Sequence, residues 1–232
     1  MKNLVVLSGA GISADSGLTT FRDSGGLWEG YNIEDVASIE GWYRDKEKVL
    51  EFYNIRRRQA SEAKPNPAHH SVKNLEEAFN VTVITQNVDD LHERAGSSRI
   101  LHLHGKLREA RSEKNPELIV DIGSDPIKLG DKASDGHPLR PNVVWFGEAV
   151  PNIHRATEIV KEADLLIVVG TSLAVYPAAG LIDYAKKGIP KYIVDPATPD
   201  LFSFKGWTHI KKNAAKGLPE LEKKLLNKEH DK

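Results

Sequence analysis

Apolar runs rich in Val, Ile and Leu, without regular polar alternation, recur as LVVL (4–7), VTVIT (81–85), ILHL (100–103), VVWF (143–146), LLIVVG (165–170) and YIVD (192–195). A strand with one face in water alternates apolar and polar residues, because successive side chains point to opposite faces. Runs that do not alternate must be covered on both sides, the condition of a parallel sheet flanked by helices. Helical patterns lie between them, in KEKVLEFYNIRRRQA (46–60), AHHSVKNLEEAF (68–79), NIHRATEIVKEA (152–163) and AAGLIDYAKKG (178–188). The expected fold class is therefore α/β, a doubly wound, Rossmann-like parallel sheet. Two segments interrupt the rhythm: 18–66, with helices and no obvious strand, and 107–141, rich in Lys, Asp, Gly and Pro with ELIVDI (117–122) as a plausible strand. They predict a smaller inserted lobe on a single domain whose large lobe comprises about 1–17, 67–106 and 142–232.

Composition narrows the chemistry. A chain of 232 residues, 40% hydrophobic, supports one sizeable core. With 32 basic against 33 acidic residues there is no global field to attract nucleic acid or an anionic membrane, so anion recognition has to be local. The absence of cysteine excludes disulfides, thiolate zinc sites and thiol nucleophiles together. The apolar run in MKNLVVLSGAG is too short for a signal-peptide core, no stretch approaches a membrane span, and the cytoplasm is the expected compartment. The tail EKKLLNKEHDK reads as a helix fraying into solvent.

The first run ends in GAGISADSG (9–17), whose G-A-G-I-S-A satisfies the dinucleotide pattern G-x-G-x-x-G/A. Small residues here suit either a phosphate cradle or a strand-to-helix turn too tight for side chains, and the hexapeptide alone leaves both open. A dehydrogenase would place an acidic residue about 20 positions on, at the end of a second strand. The chain has GGLWEGYNIED there, which argues against hydride transfer. Beyond the later runs lie QNVD (86–89), His104 before Gly105, and GTSLAV (170–175). Asn, Asp, Ser and Thr in such places cap helices as readily as they bind ligands. Histidine suits proton abstraction near neutrality because its unperturbed pKa is about 6.5, but a lone histidine is often structural. Tyr53 and Arg56, three apart, share a helix face and could hold a carboxylate between a guanidinium fork and a phenol. The competing reading is a solvated basic helix in which Arg57 and Arg58 pair with Glu residues.

GAGISADSGLTTFRD (9–23), TQNVDDLHERAG (85–96), LHGKL (103–107), RPNVVWFGE (140–148) and GTSLAVYPAAGL (170–181) occur in this order, and together they resemble the sirtuins, NAD-dependent protein deacylases, from Leu4 to Leu226. GLWEGYNIEDVA and FYNIRRRQ are most similar to bacterial members and their mitochondrial desuccinylase relatives. The resemblance implies NAD as cofactor, with acyl-lysine proteins or peptides as partners. No nucleic acid or membrane partner is expected, and the chain is expected to be a monomer. The acyl-lysine carbonyl oxygen would attack C1′ of the nicotinamide ribose, nicotinamide would leave, and the acyl group would pass to ADP-ribose.

By the same resemblance His104 is the base, and Gln86 and Asn87 contact the ribose and an ordered water, Asn87 as a catalytic residue. Asp89 holds the nicotinamide carboxamide. Gly9, Ala10 and Gly11 lie at the pyrophosphate, and Phe21 and Arg22 cover the ribose and phosphates from a mobile loop. Gly170, Thr171 and Ser172 serve the adenosine and phosphate side. Asp195 stands where the family commonly has Asn; an acidic residue suits ribose hydroxyls and repels a 2′-phosphate, favouring NAD over NADP. Val144 and Phe146 line the lysine channel, and Gly147 with Glu148 pins a peptide that binds as an added strand. Tyr53 and Arg56 mark selectivity for acidic acyl groups, succinyl or malonyl as well as acetyl, with Ala37 widening the pocket. Most sirtuins also bind a structural zinc through four cysteines, the first of which falls at Ser112, so no tightly bound zinc is expected. Asp121, Asp125, Asp131, Asp135 and His137 read as solvated turn residues. The alternatives are ADP-ribosyl transfer or NAD hydrolysis in the same pocket, and a non-catalytic NAD or ADP-ribose binding module.

Overall fold

The computed structural model describes residues 1–19, 27–28, 30–198 and 206–230. In chain order the strands are β1 (Lys2–Ser8), β2 (Leu27–Trp28), β3 (Tyr31–Asn32), β4 (Phe79–Thr85), β5 (Ile100–His102), β6 (Gly105–Ser112), β7 (Ile119–Asp121), β8 (Leu139–Val143), β9 (Leu165–Val169), β10 (Lys191–Val194) and β11 (Trp207–Ile210). The α-helices are α1 (Ile33–Val36), α2 (Ile39–Arg44), α3 (Lys46–Glu62), α4 (Pro67–Asn74), α5 (Leu91–Arg94), α6 (Ile153–Lys161) and α7 (Ala214–His230). No helix of the described residues is long and apolar enough to cross a membrane.

Six strands form one parallel sheet in the order β11-β10-β9-β1-β4-β5. Alternate residues of each central strand go to opposite faces, and both faces are buried. Leu4, Val6, Val83, Ile167 and Val194 meet α4, the 3-10 turn that follows it and α7 through Val72, Leu75, Leu218 and Leu221. Val5, Leu7, Ile84, Val168 and Ile193 meet α6 and the segment 178–184 through Ala156, Val160, Leu181 and Ile182. This two-sided burial is why the runs lack polar alternation. α4 starts where it does because Asn66 accepts from Ala68 N at 2.9 Å, Pro67 occupies the first turn, and His69 Nδ1 accepts from Asn66 N at 3.3 Å.

The chain leaves β1 for β4 and β5 on one side, then returns to β9, β10 and β11 on the other, so the order reverses between β1 and β9. Ligands of open α/β sheets sit beyond the carboxyl ends of the strands at such a point. Register aligns the ends there: Ser8 pairs with both Thr85 and Val169, Thr85 with His102, and Val169 with Val194. The residues that follow these ends, Gly9, Gln86, Leu103–His104, Gly170 and Asp195, are thereby brought to one rim.

A second sheet, antiparallel in the order β7-β6-β8, packs against α3. Asp45 caps α3 by accepting from Lys48 N at 3.0 Å. The helix turns Val49, Phe52, Tyr53, Arg56 and Ala60 inward, against Leu107, Ala110, Val143 and Trp145. The run VVWF is thus not a strand of the main sheet. Val143 closes β8, while Val144 donates to His104 O and Phe146 to Ala37 O, both at 2.9 Å, because this run links the two sheets. The segment Ala178–Tyr184 is a 3-10 helix rather than an α-helix. Its buried pairs, Ala178 with Leu181 and Ala179 with Ile182, are three apart, which suits three residues per turn. The helical pattern expected to Phe79 stops earlier, with a 3-10 turn at Leu75–Glu77 and Phe79 opening β4.

Candidate active site

The carboxyl ends of the parallel strands and the loops of the second sheet enclose a cleft of about 650 Å³. Every candidate site residue within the described segments lines it. Phe21 and Arg22 lie outside the described residues.

At the β1–β9 crevice two turns interlock. Gly11 N donates to Gly170 O at 2.9 Å, a Cβ on Gly11 would lie 2.7 Å from Gly170 Cα, and a Cβ on Gly170 would lie 2.3 Å from Ile12 N. Gly170 also has φ +60. Steric necessity therefore accounts for these glycines, and the backbone they leave uncovered floors the cleft. Across the crevice Gln86 Nε2 donates to Thr171 Oγ1 at 3.3 Å. Asp195 at the end of β10 is 2% exposed, and its Oδ1 accepts from Ala197 N at 2.9 Å.

Between β1 and β4, Ser13 joins Asn87 and Asp89 of QNVD. Asn87 Nδ2 donates to Ser13 Oγ at 3.1 Å, and Ser13 Oγ donates to Asp89 Oδ2 at 3.1 Å. Asp89 Oδ1 accepts from Leu91 N at 3.1 Å. Burial pushes the Asp89 carboxyl above its ordinary pKa, opposed by the Leu91 and Ser13 hydrogen bonds. A buried carboxylate in that state gains from a further N–H donor. Ser13 was not singled out in the sequence, where it is one of several small residues in GAGISADSG.

Two histidines two residues apart anchor consecutive carbonyls of this loop. His102 Nδ1 is 3.0 Å from Asn87 O, and its Nε2 is 2.8 Å from Glu93 Oε1. His104 Nδ1 is 3.0 Å from Gln86 O. A carbonyl only accepts, so Nδ1 of His104 carries the proton and Nε2 keeps its lone pair in the neutral ring. Burial holds His104 below its ordinary pKa, with the Gln86 hydrogen bond acting the other way. The imidazole is thus neutral at pH 7, as a base requires. The turn after it has to be glycine: Gly105 has φ +79, and a Cβ there would lie 2.0 Å from Asn142 O.

The other end of the cleft lies against α3. Tyr53 and Arg56 are buried one turn apart, and Ala37 is buried beside the segment that Phe146 joins. Burial pushes the Tyr53 phenol well above its ordinary pKa, so it stays protonated; its oxygen accepts from Trp145 Nε1 at 2.9 Å. Phe146 is half-exposed at the mouth and bridges Ser38. The Glu148 carboxylate faces inward from this loop. It accepts from Arg140 at 2.7 and 3.0 Å, from Arg111 at 3.2 Å and from Trp145 N at 2.9 Å. Burial acts to raise the Glu148 carboxyl, but the Arg140 contact prevails and holds it below the usual range. The carboxylate shapes the 144–148 loop.

Where a thiolate zinc site would begin, Ser112 Oγ donates to Asp135 Oδ2 at 2.7 Å and accepts from Lys114 N and Asn115 N at 3.2 and 3.1 Å. No group of three or more metal-ligating side chains is gathered among the described residues. A hydroxyl hub does not fit zinc, and hydrogen bonds do the joining here. Ser112→Ala is expected to cost about 1–3 kcal/mol, from the two backbone donors left unmet. A chelator should leave the melting temperature of the unaltered protein unchanged. A chelator-induced fall in melting temperature would contradict this.

Comparison with known proteins places the chain. The model of the Sir2 family matches residues 9–177. A curated NAD-dependent protein deacylase of Bacteroides thetaiotaomicron is 52% identical over 231 residues, covering 97% of this chain and 99% of its own. A solved Sir2 homologue–NAD complex superposes with a TM-score of 0.88 at 38% identity, over 98% of this chain and 91% of that one. A Sir2 bound to acetylated peptide superposes with a TM-score of 0.78 at 30% identity, over 97% of this chain and 92% of that one.

Proposed function

The chain belongs to the Sir2 family, and we propose that its cleft removes acyl groups from protein lysines in a reaction that consumes NAD. The carrying observation is His104, a part-buried neutral imidazole that spends Nδ1 on Gln86 O, keeps the Nε2 lone pair, and lines the same cleft as Asn87 and Asp89. NAD supplies an ADP-ribosyl group to receive the acyl chain and nicotinamide as a leaving group, so the products include nicotinamide and O-acyl-ADP-ribose. Asp89 receives the carboxamide, the Ser13-linked Asn87 holds the ribose, and His104 takes a proton from a ribose hydroxyl. Asp195, buried at the end of β10, supports NAD over NADP because it would repel a 2′-phosphate. The acyl-lysine enters past Val144 and Phe146, and an acyl channel is what deacylation requires and NAD hydrolysis does not.

The acyl group is the finer question, and the reading supported by α3 is a preference for succinyl or malonyl with tolerance of acetyl. Arg56 lines the cleft one helical turn from the Tyr53 hydroxyl. One charge-assisted hydrogen bond is worth about 1.5–3 kcal/mol, or about tenfold to a hundredfold in preference. Arg56→Met is therefore expected to lower the ratio of succinyl- to acetyl-peptide kcat/KM by about that factor. An unchanged ratio would remove Arg56 from substrate choice.

A further inference from the structure

The acidic-acyl pocket has a member that neither spacing nor charge singled out. Trp145 Nε1 lies 2.9 Å from the Tyr53 hydroxyl, and an indole N–H can only donate. The phenol oxygen is therefore the acceptor in this bond, and its own proton has to point elsewhere. No described group accepts that proton. The nearby carboxylate, Glu148, is already taken up by Arg140, Arg111 and the Trp145 backbone N–H. A buried phenol with an unused proton, in a cleft wall beside Arg56, presents a donor to whatever enters.

The indole cannot easily turn away from this duty. Arg140 Cζ sits 3.5 Å from its ring centroid, and Trp42 packs at 5.4 Å with a 37° tilt. Its backbone N–H is held by the same Glu148 that pairs with Arg140. One fixed frame thus sets the direction of the indole N–H, and through it the direction of the phenolic proton. Accepting a hydrogen bond also polarises a hydroxyl and makes it a stronger donor.

We propose that Trp145 is a positioning residue for acyl choice: by donating to Tyr53 it aims the phenolic proton into the acyl pocket, favouring a tail that ends in a carboxylate. The proposal rests on the acidic-acyl reading of Tyr53 and Arg56. An acetyl group offers the pocket no such acceptor, so the effect separates the two substrates.

The test is steady-state kinetics of the full chain with NAD and one peptide in succinyl- and acetyl-lysine forms. The variants are Trp145→Phe, Tyr53→Phe, the double variant and Arg56→Met. Trp145→Phe is expected to lower the succinyl-to-acetyl kcat/KM ratio about threefold to tenfold, chiefly through the succinyl-peptide KM. Adding Trp145→Phe to Tyr53→Phe should leave the ratio where Tyr53→Phe alone puts it, since the two act as one unit. If Trp145→Phe does not fold, 3-benzothienylalanine at position 145 removes the N–H while keeping the ring shape and is held to the same outcome. A loss shared equally by both peptides, or a full Trp145 effect on the ratio in the Tyr53→Phe background, overturns the proposal. If Arg56→Met and Tyr53→Phe move the ratio and Trp145→Phe does not, only the role of Trp145 fails. If none moves it, the acidic-acyl reading itself fails and takes the proposal with it.

Discussion

Replacing His104 by alanine is expected to lower NAD-dependent deacylation by about a hundredfold to ten-thousandfold, the range a positioned general base contributes. The fold should survive. His104 stands just past the end of β5, and its ring gives one hydrogen bond, to Gln86 O, a carbonyl at the cleft wall that water can satisfy once the ring is gone. The geometry of the neighbouring residues does not depend on it: Asn87 and Asp89 are joined through Ser13, and His102 separately holds Asn87 O. The same assignment fixes a pH response. Because burial places the His104 pKa below its ordinary value, the ring is neutral and competent above that point, and activity should fall as pH drops through it. Nicotinamide release followed across pH 5–8, with circular dichroism of the variant as a fold control, reads both effects. Near-native turnover by folded His104→Ala would remove the base from the account.

Acidification from pH 7 to pH 5 should destabilise the fold by about 4 kcal/mol, through two histidines behind the site. His69 and His92 meet edge-on at 5.0 Å between ring centroids in the interior. Burial first, and then the charges of His92 and His70, push His69 down to about 3. Burial pushes His92 down to about 4, against an upward pull from Glu93. His92 Nε2 pairs with Ser8 Oγ at 3.1 Å and His69 Nδ1 accepts from Asn66 N, while the remaining ring nitrogens, His92 Nδ1 and His69 Nε2, have no hydrogen-bond partner among the described residues. Both rings are therefore neutral in the native state, whereas in the unfolded chain each takes a proton near pH 6.5. The unfolded state then binds more protons below that pH, so stability falls from about pH 6.5 downward and keeps falling until the native pKa values are reached. At pH 5 the loss is about 2 kcal/mol for each ring, a large share of the 5–15 kcal/mol typical of a domain. Urea unfolding at a series of pH values measures it, and His92→Gln should remove about half the slope. A flat profile between pH 7 and pH 5 would mean these rings are not buried neutral.

What could be read in advance follows from which interactions are local. The parallel strands were legible because β1, β9 and β10 are covered on both faces, which leaves unbroken apolar runs. β6 escaped because only Leu107, Ala110 and Ser112 along it are buried, with a register shift between Gly105 and Ala110 that breaks any regular period, and β11 because it is a short, partly buried edge strand. VVWF had the composition of a core strand, yet only Val143 pairs as one: Trp145 is apolar for packing against α3 and the second sheet, and Phe146 lies half-exposed at the cleft mouth. Tyr53 with Arg56 was legible because three residues on a helix is a geometric statement. Ser13 and Trp145 were not, because their partners lie 74 and 92 residues away and only the folded chain brings them within hydrogen-bond reach. The glycines at 9 and 11 were ambiguous for a related reason: the backbone that excludes their Cβ atoms comes from 170–171.

Mass spectrometry of the products formed from NAD and a succinyl-lysine peptide tests the central claim most directly. The account predicts one nicotinamide and one O-succinyl-ADP-ribose for each peptide that loses its acyl group. Free succinate with NAD intact, or NAD cleaved while the peptide keeps its acyl group, would contradict it.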